Sequence, residues 1–221
     1  MRVFILLLLL VVSFSALALQ SADSDRICAP FRGGVVDPVI VESMLQAAKE
    51  GRLYRIQPKS SNVGFCVDSA IGRVEAEFSG IQGGLALSRE VWGDESQMLV
   101  MVDANSLAMD ESFIKNILKS EFFLDTNTYS RILFVSSGLR WLDHENAVLE
   151  GMLTMHGVTK RIRFDVKMTV SSNDNHQSVA DIVVTASSFI KRADFNMDRL
   201  KFLVGDTVEL CMRIEASLFK K

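Results

Sequence analysis

The sequence predicts an all-β fold: a closed antiparallel barrel of eight strands, with a short helix inside the domain and an N-terminal helical arm. Three observations predict it. From residue 54 onward apolar and polar residues alternate with a period of two, as in strands that bury one face. Turn signals such as Ile71-Gly72 and Ser79-Gly80 separate the runs. So many antiparallel strands in one domain must protect their edges, which closure into a barrel achieves.

The chain begins with a segment typical of a secretory leader. Arg2 precedes the apolar run of residues 3–19, and the Ala-Leu-Ala of residues 16–18 suits a signal peptidase. We expect cleavage after residue 18, which makes residues 1–18 a signal peptide and the protein periplasmic or secreted. An uncleaved membrane anchor is the alternative, but the run is shorter than the roughly 20 residues that span a bilayer. No stable membrane insertion is expected after cleavage.

An arm with one helix, residues 19–52, follows the leader. Asp37 and Pro38 are favoured as N-cap and first helical residue, and Gly51 is a typical residue after a helix end. This predicts a helix over residues 38–50, docked on the outside of the domain at residues 53–221. A partner-binding helix is the alternative, but the apolar face is weak.

Within the domain we expect nine strand segments, of which about eight pair in one sheet, and one helix over residues 111–120. The run at residues 98–102 is apolar on both faces, unlike its neighbours. The segments are predicted at residues 63–67, 74–78, 84–88, 98–102, 131–136, 147–155, 161–170, 178–187 and 207–218.

Alternation assigns a set of apolar residues to the barrel interior. They either line an elongated cavity for one small ligand or form an ordinary filled core, and composition alone favours the filled core. The candidate wall positions are Phe65, Val67, Val74, Phe78, Val100, Val102, Phe134, Leu153, Phe164, Ile182 and Val184.

Charge and motifs exclude several function classes. The formal net charge of −3 argues against a strongly basic nucleic-acid binder, and 48% hydrophobic residues argue against a disordered chain. His144, His156 and His176 lie on separate segments without metal-binding spacing, and no hydrolase, phosphate-loop or dinucleotide motif occurs. We therefore expect no enzyme, no metal and no cofactor. A dispersed catalytic triad is recognised by geometry and stays open.

The three cysteines are Cys28, Cys66 and Cys211, which permit one disulfide and one leftover thiol in an oxidising compartment. If Phe65 and Val67 point inward, Cys66 points outward, and Cys211 does likewise. First and last strands are neighbours in a closed barrel, so a bridge between Cys66 and Cys211 is one option. A bridge from Cys28 to either strand is another, and would fasten the arm.

Residues 151–166, GMLTMHGVTKRIRFDV, resemble the signature hairpin of the YceI-like family of secreted, lipocalin-like polyisoprenoid-binding proteins. Further similar pieces occur in the family's order, and together they cover about residues 53–219. The sequence departs from the family's pattern at Ser69, Ser130 and Asn196, and residues 28–51 lie outside the shared domain. The similar pieces are residues 53–56 with 60–67, 72–85, 117–125 and 191–195.

The resemblance implies a lipocalin-like barrel that encloses a long isoprenoid chain, such as a polyprenyl or quinone tail, in the bacterial periplasm and without catalysis. Arg192 and Asp194 are candidates for contact with a polar head group at the barrel mouth; an exposed ion pair in a turn is the alternative. The alternative function is a secreted structural or stress-response barrel with a protein partner and no lipid. Whether the protein forms a homodimer stays open.

Overall fold

A computed structural model describes residues 36–88, 96–171 and 181–220. The predicted signal peptide, most of the arm with Cys28, and His176 lie outside the described residues.

Within these ranges eleven strand segments form one antiparallel sheet. The sheet closes on itself because the first segment pairs with both the fourth and the last. The described residues contain two helices, α1 (Pro38–Lys49) and α2 (Ser112–Lys119). The strands are β1 (Leu53–Ile56), β2 (Asn62–Ser69), β3 (Gly72–Phe78), β4 (Ile81–Ala86), β5 (Gln97–Asp103), β6 (Leu107–Ala108), β7 (Arg131–Trp141), β8 (Asn146–Met155), β9 (Val158–Ser171), β10 (Asp181–Lys191) and β11 (Val204–Leu218).

The eleven segments make eight barrel strands, because three strands are each broken into two. Segment β1 pairs with β4 while β2 pairs with β3, and β4 pairs with β5 while β3 pairs with β6. The breaks are the 3-10 turns Pro58–Ser60 and Ala104–Ser106 and the Ser79-Gly80 bend. The predicted eight-stranded antiparallel barrel, with a helix in the domain and a second helix before it, is confirmed.

Element bounds differ modestly from the sequence prediction. Strand β7 continues to Trp141 instead of ending at residue 136, because an irregularity between Ser136 and Gly138 keeps it paired with β8. The two-residue strand β6 was not predicted, and the segment expected at residues 84–88 lies at Ile81–Ala86.

Helix α1 packs on the outer wall of the barrel, as the sequence predicts. Its N-cap Asp37 accepts a hydrogen bond of 2.9 Å from the backbone N–H of Val39. The buried face of the helix contacts the outer side of β1, β4 and β5. This explains why β5 is apolar on both faces: Leu99 points outward and is covered by the helix. The outer cluster consists of Met44, Ala47, Ala48, Leu53, Ala86 and Leu99.

The two ends of the barrel differ. We call the upper end the one formed by the turn at residues 70–71, the connection 109–130 with α2, the hairpin turn 156–157 and the connection 192–203. The lower end carries the turn at residues 142–145 and the start of β1. Because the wall strands alternate up and down, every second connection lies at the same end.

Gly151 allows two strands to pack closely beside Phe134. A Cβ atom there would lie 2.5 Å from Phe134 Cζ and 2.5 Å from the carbonyl oxygen of Val135. We expect Gly151→Ala to lower the free energy of unfolding by about 1–3 kcal/mol through overpacking. Urea unfolding measures it. The matched control is Gly138→Ala, where a Cβ would meet no atom within 4 Å and the change should stay within about 0.5 kcal/mol. Equal effects of the two variants would contradict the prediction.

Candidate ligand-binding site

An apolar cavity of about 100 Å³ occupies the upper half of the barrel interior. Eight of the eleven wall positions predicted by alternation line it: Phe65, Val67, Phe78, Val100, Val102, Phe134, Leu153 and Phe164.

The other three wall positions do not line this cavity. Ile182 and Val184 are buried in the core, and Val184 borders a second, smaller void of about 20 Å³ in the lower half. Val74 is only half-buried. Strand β3 pairs with β6 only at Glu77 and Phe78. Val74 lies beyond the end of β6, so no strand of the described residues flanks it on that side.

The top of the cavity is closed by residues that alternation could not identify. Leu118 of α2, together with Phe123 and Leu124 after it, lies over the strands, and Met197 closes the cavity from the connection between β10 and β11. All four side chains are buried. They lie in a helix and in irregular segments, where the period of two carries no information. The helix predicted over residues 111–120 and the family resemblance of the 117–125 segment were the available signals for the first three, and no signal identified Met197.

An aromatic pair lies deeper in the cavity. The rings of Phe134 and Phe164 meet edge to face with centroids 5.2 Å apart. Phe164 lines the upper cavity, whereas its cross-strand neighbour Leu149 borders the lower void. Phe164 and Leu149 therefore separate the two empty spaces.

Arg192 lies at the upper wall of the cavity and is only 2% exposed. Its Nε donates to the Gly205 carbonyl at 2.8 Å and its Nη2 to the Val204 carbonyl at 2.8 Å. Its Nη1 donates to the carbonyl of Arg199 at 2.7 Å and to that of Met197. The guanidinium therefore holds together the connection between β10 and β11.

The alternative of an exposed Arg192 to Asp194 turn pair is wrong for Arg192. Asp194 is exposed on the 3-10 turn Arg192–Phe195, while the guanidinium points into the fold, 5.7 Å above the centroid of the Phe123 ring. Burial lowers the pKa of Arg192, and the carboxylates of Asp206 and Asp198 act in the opposite direction. The charge is met chiefly by four carbonyl dipoles.

The departure at Asn196 leaves this turn intact. Asn196 has φ 59°, the left-handed conformation that asparagine adopts more readily than most residues. Asparagine therefore suits the conformation that this turn requires.

His156 lies in the hairpin turn between β8 and β9. Its Nδ1 lies 3.0 Å from the Phe195 carbonyl, to which it donates, and its ring packs edge-on against Tyr129 at 4.9 Å. No group of three His, Cys, Asp or Glu side chains suited to a metal ion occurs within the described ranges. Among the same residues, no helix is long and apolar enough to cross a membrane.

The comparison with known proteins follows from this geometry. The family model of the YceI-like domain matches residues 54–216, which run from β1 into β11 and include nearly all of the barrel. The chain belongs to the YceI-like family.

Solved structures of similar fold include members of the same family. Burkholderia cenocepacia BcnA aligns with a TM-score of 0.65 and 19% identity over 73% of this chain and 99% of its own. The Campylobacter jejuni YCEI protein aligns with a TM-score of 0.59 and 20% identity over 66% of this chain and 85% of its own. A polyisoprenoid binding domain from Saccharophagus degradans has a TM-score of 0.55 and 17% identity over 75% and 98%. No curated protein matches the sequence.

The YceI-like barrel carries two free thiols in its described part, Cys66 and Cys211, both half-buried. Cys66 lies opposite Glu209 and Cys211 lies opposite Gly64, so the two cysteines are diagonal neighbours on β2 and β11. Diagonal positions have Cα atoms about 7–8 Å apart, beyond the roughly 4.4–6.8 Å usual for a disulfide. This register does not favour a direct bridge, and a bridge from Cys28 lies outside the described residues.

The thiols should react slowly with alkylating agents near neutral pH. Burial raises the pKa of Cys66, although its hydrogen bond with Arg73 acts in the opposite direction. Burial also raises the pKa of Cys211, and the charge of Glu209 adds to the effect. Because only the thiolate reacts, a raised pKa lowers the rate near neutral pH, and the rate should rise as the solution becomes more alkaline.

Iodoacetamide labelling of a Cys28→Ser variant measures this rate for Cys66 and Cys211 alone. The control is the same protein unfolded in urea, where both thiols should react faster. Native thiols that react at pH 7 as fast as the unfolded ones would contradict the prediction.

Proposed function

We propose that the protein binds a long-chain isoprenoid lipid, polyprenyl or quinone-like, inside the barrel and stores or transports it in the bacterial periplasm without catalysis. The apolar cavity in the upper half of the barrel carries this proposal. Among the described residues Arg192 is the one charged side chain in its lining, and hydrocarbon side chains form nearly all the rest. The similar fold of the Saccharophagus degradans polyisoprenoid binding domain supports it.

The size of the cavity sets how such a ligand could enter. An apolar cavity of about 150 Å³ holds a benzene molecule, so the roughly 100 Å³ present here holds less than that. A chain of several isoprene units therefore requires the lining to rearrange. Methionine, with three rotatable bonds, adapts most easily, and Met155, Met197 and Met212 all line the cavity.

The polar head of the ligand belongs at the upper end in this proposal. Arg192 uses four of the about five N–H donors of a guanidinium on backbone carbonyls, which leaves one for a head group. Asp194 is exposed on the same turn. In this arrangement the head group lies near the turn Arg192–Phe195, while the apolar tail extends down toward Phe134 and Phe164.

Organic extraction followed by mass spectrometry tests the proposal. The protein is purified without detergent from cells that secrete it, and an unrelated periplasmic protein purified in parallel is the control. A stoichiometric isoprenoid in the extract is expected, and its mass gives the chain length.

An empty protein that also fails to take up added polyprenols or quinones would overturn the proposal. The small volume of the cavity favours one other candidate in that case: a filled barrel that acts through a protein partner. The next measurement would then test whether a protein of the periplasmic fraction co-purifies with this one.

A further inference from the structure

Large exposed apolar side chains concentrate at the upper end of the barrel. Nine such side chains are exposed in the described residues, and five of them lie on the connections of that end. We call these five the upper apolar tips: Ile71 (78% exposed), Phe113 (74%), Phe122 (43%), Phe202 (82%) and Leu203 (42%). The other four are Val39 on α1, Leu142 at the lower end, and Met152 and Phe189 on the outer wall.

The connections that carry the tips are joined to one another. The backbone N–H of Ala70 donates to the Leu203 carbonyl at 2.8 Å, which brings the turn with Ile71 beside Phe202 and Leu203. On the other side, Phe123 lies against the Arg192 guanidinium, which in turn holds the carbonyl of Arg199. The connections that carry the tips are therefore linked to one another at this end of the barrel.

The same connections also cover the cavity. Phe122 points into solvent, whereas the next residue, Phe123, lines the cavity. Likewise, α2 exposes Phe113 and turns Leu118 inward, and the connection between β10 and β11 exposes Phe202 while Met197 points inward. A molecule or membrane that contacts the tips therefore also contacts the segments that must move for a ligand to enter.

We propose that the upper apolar tips dock on the surface of a lipid bilayer, from which the barrel takes up or to which it delivers its cargo. This inference rests on the proposed function, because a long isoprenoid is too insoluble to reach the cavity through water and must come from an apolar phase. A bilayer suits the surface since exposed phenyl rings gain free energy when they leave water for the headgroup and acyl boundary.

The charges around the tips indicate which bilayer surface fits. Basic side chains alternate with acidic ones there: Lys201 pairs with Asp198 at 3.0 Å, and the exposed Lys191 and Arg199 are balanced by Asp194 and Asp206. The connection 109–130, which carries two of the tips, has four acidic and two basic side chains. No excess positive charge therefore faces an anionic bilayer, which would have no advantage. Docking should therefore occur on zwitterionic bilayers through apolar insertion and depend little on salt.

Flotation with phosphatidylcholine vesicles tests the docking surface on the mature full chain. The removal of one fully inserted phenyl ring should weaken vesicle binding about ten- to a hundredfold. Phe202→Ser and Phe113→Ser are expected to show this loss. The matched control is Leu142→Ser, an exposed apolar residue at the lower end (58% exposed), which should bind vesicles like the unchanged protein.

Binding of farnesol in solution without vesicles separates docking from the function on which it rests. We expect Phe202→Ser to bind farnesol like the unchanged protein, because its side chain does not line the cavity. If the unchanged protein binds farnesol but never floats with vesicles, docking is overturned and the proposed function stands. If it floats but does not bind farnesol, the carrier function fails while the surface remains. A dimer that Phe202→Ser dissociates, without flotation, would identify a second copy as the occupant and overturn the bilayer.

Discussion

Replacement of Arg192 by alanine is expected to lower the free energy of unfolding by about 3–5 kcal/mol. The side chain is buried and donates four hydrogen bonds to the carbonyls of Met197, Arg199, Val204 and Gly205. Its removal leaves these acceptors without their partner and opens a hole beside the cavity. Each buried unsatisfied group costs about 1–3 kcal/mol, and partial access of water reduces the sum. Urea unfolding followed by circular dichroism measures the change.

The matched control is Arg199→Ala, in the same connection. Arg199 has an exposed side chain and contributes only its backbone carbonyl to the cluster, so its replacement should change stability by less than about 0.5 kcal/mol. Arg192→Lys should recover only part of the loss, because an ammonium has about three donors on one atom and cannot span four carbonyls. If Arg192→Ala unfolds at the same urea concentration as Arg199→Ala, the guanidinium does not organise the connection.

The strand pattern was predictable because barrel walls follow a simple physical rule. Each wall residue faces either the interior or the outside, so alternation identified inward side chains such as Phe134 and Leu153 without knowledge of strand pairing. The sequence also showed one strand that departs from this rule. β5 is apolar on both faces, and the outer face, with Leu99, is covered by α1.

Depth inside the barrel could not be predicted from alternation. Ile182 and Phe164 both point inward, yet only Phe164 lines the cavity. Which level of the barrel stays empty depends on the volumes of side chains that come together from several strands and from the connections above them. Leu118 and Phe123 are examples, since they fill the top from outside the strands.

Arg192 was the least predictable residue of the site. An arginine in a turn next to an aspartate, as here with Asp194, is usually solvated. Its burial depends on four carbonyls, of which those of Met197 and Gly205 lie five and thirteen residues further along the chain. The sequence does not show where backbone carbonyls lie in the fold. The only sign that Arg192 has a special position was the similarity of residues 191–195 to the family pattern.

A cavity-filling substitution should abolish tight ligand binding while the barrel stays folded. Leu153 lies on β8, is 5% exposed and lines the cavity, so Leu153→Trp places an indole ring in the empty space. If the new ring excludes one five-carbon unit of the ligand, the binding free energy loses about 4 kcal/mol, at roughly 0.8 kcal/mol per buried carbon. Ordering costs offset part of this, so we expect binding of a fluorescent polyprenyl analogue to weaken at least tenfold.

The neighbouring residue provides the control because side chains alternate along β8. Met152 is 38% exposed on the outer face, so Met152→Trp adds the same ring outside the barrel and should bind the analogue normally. Overpacking by the inner ring costs about 1–3 kcal/mol, which thermal unfolding of both variants measures. If Leu153→Trp fails to fold, Val100→Phe fills the cavity from β5, two strands away from β8. If Leu153→Trp folds and binds the analogue as tightly as Met152→Trp does, the ligand lies elsewhere, because it cannot occupy the same space as the new ring.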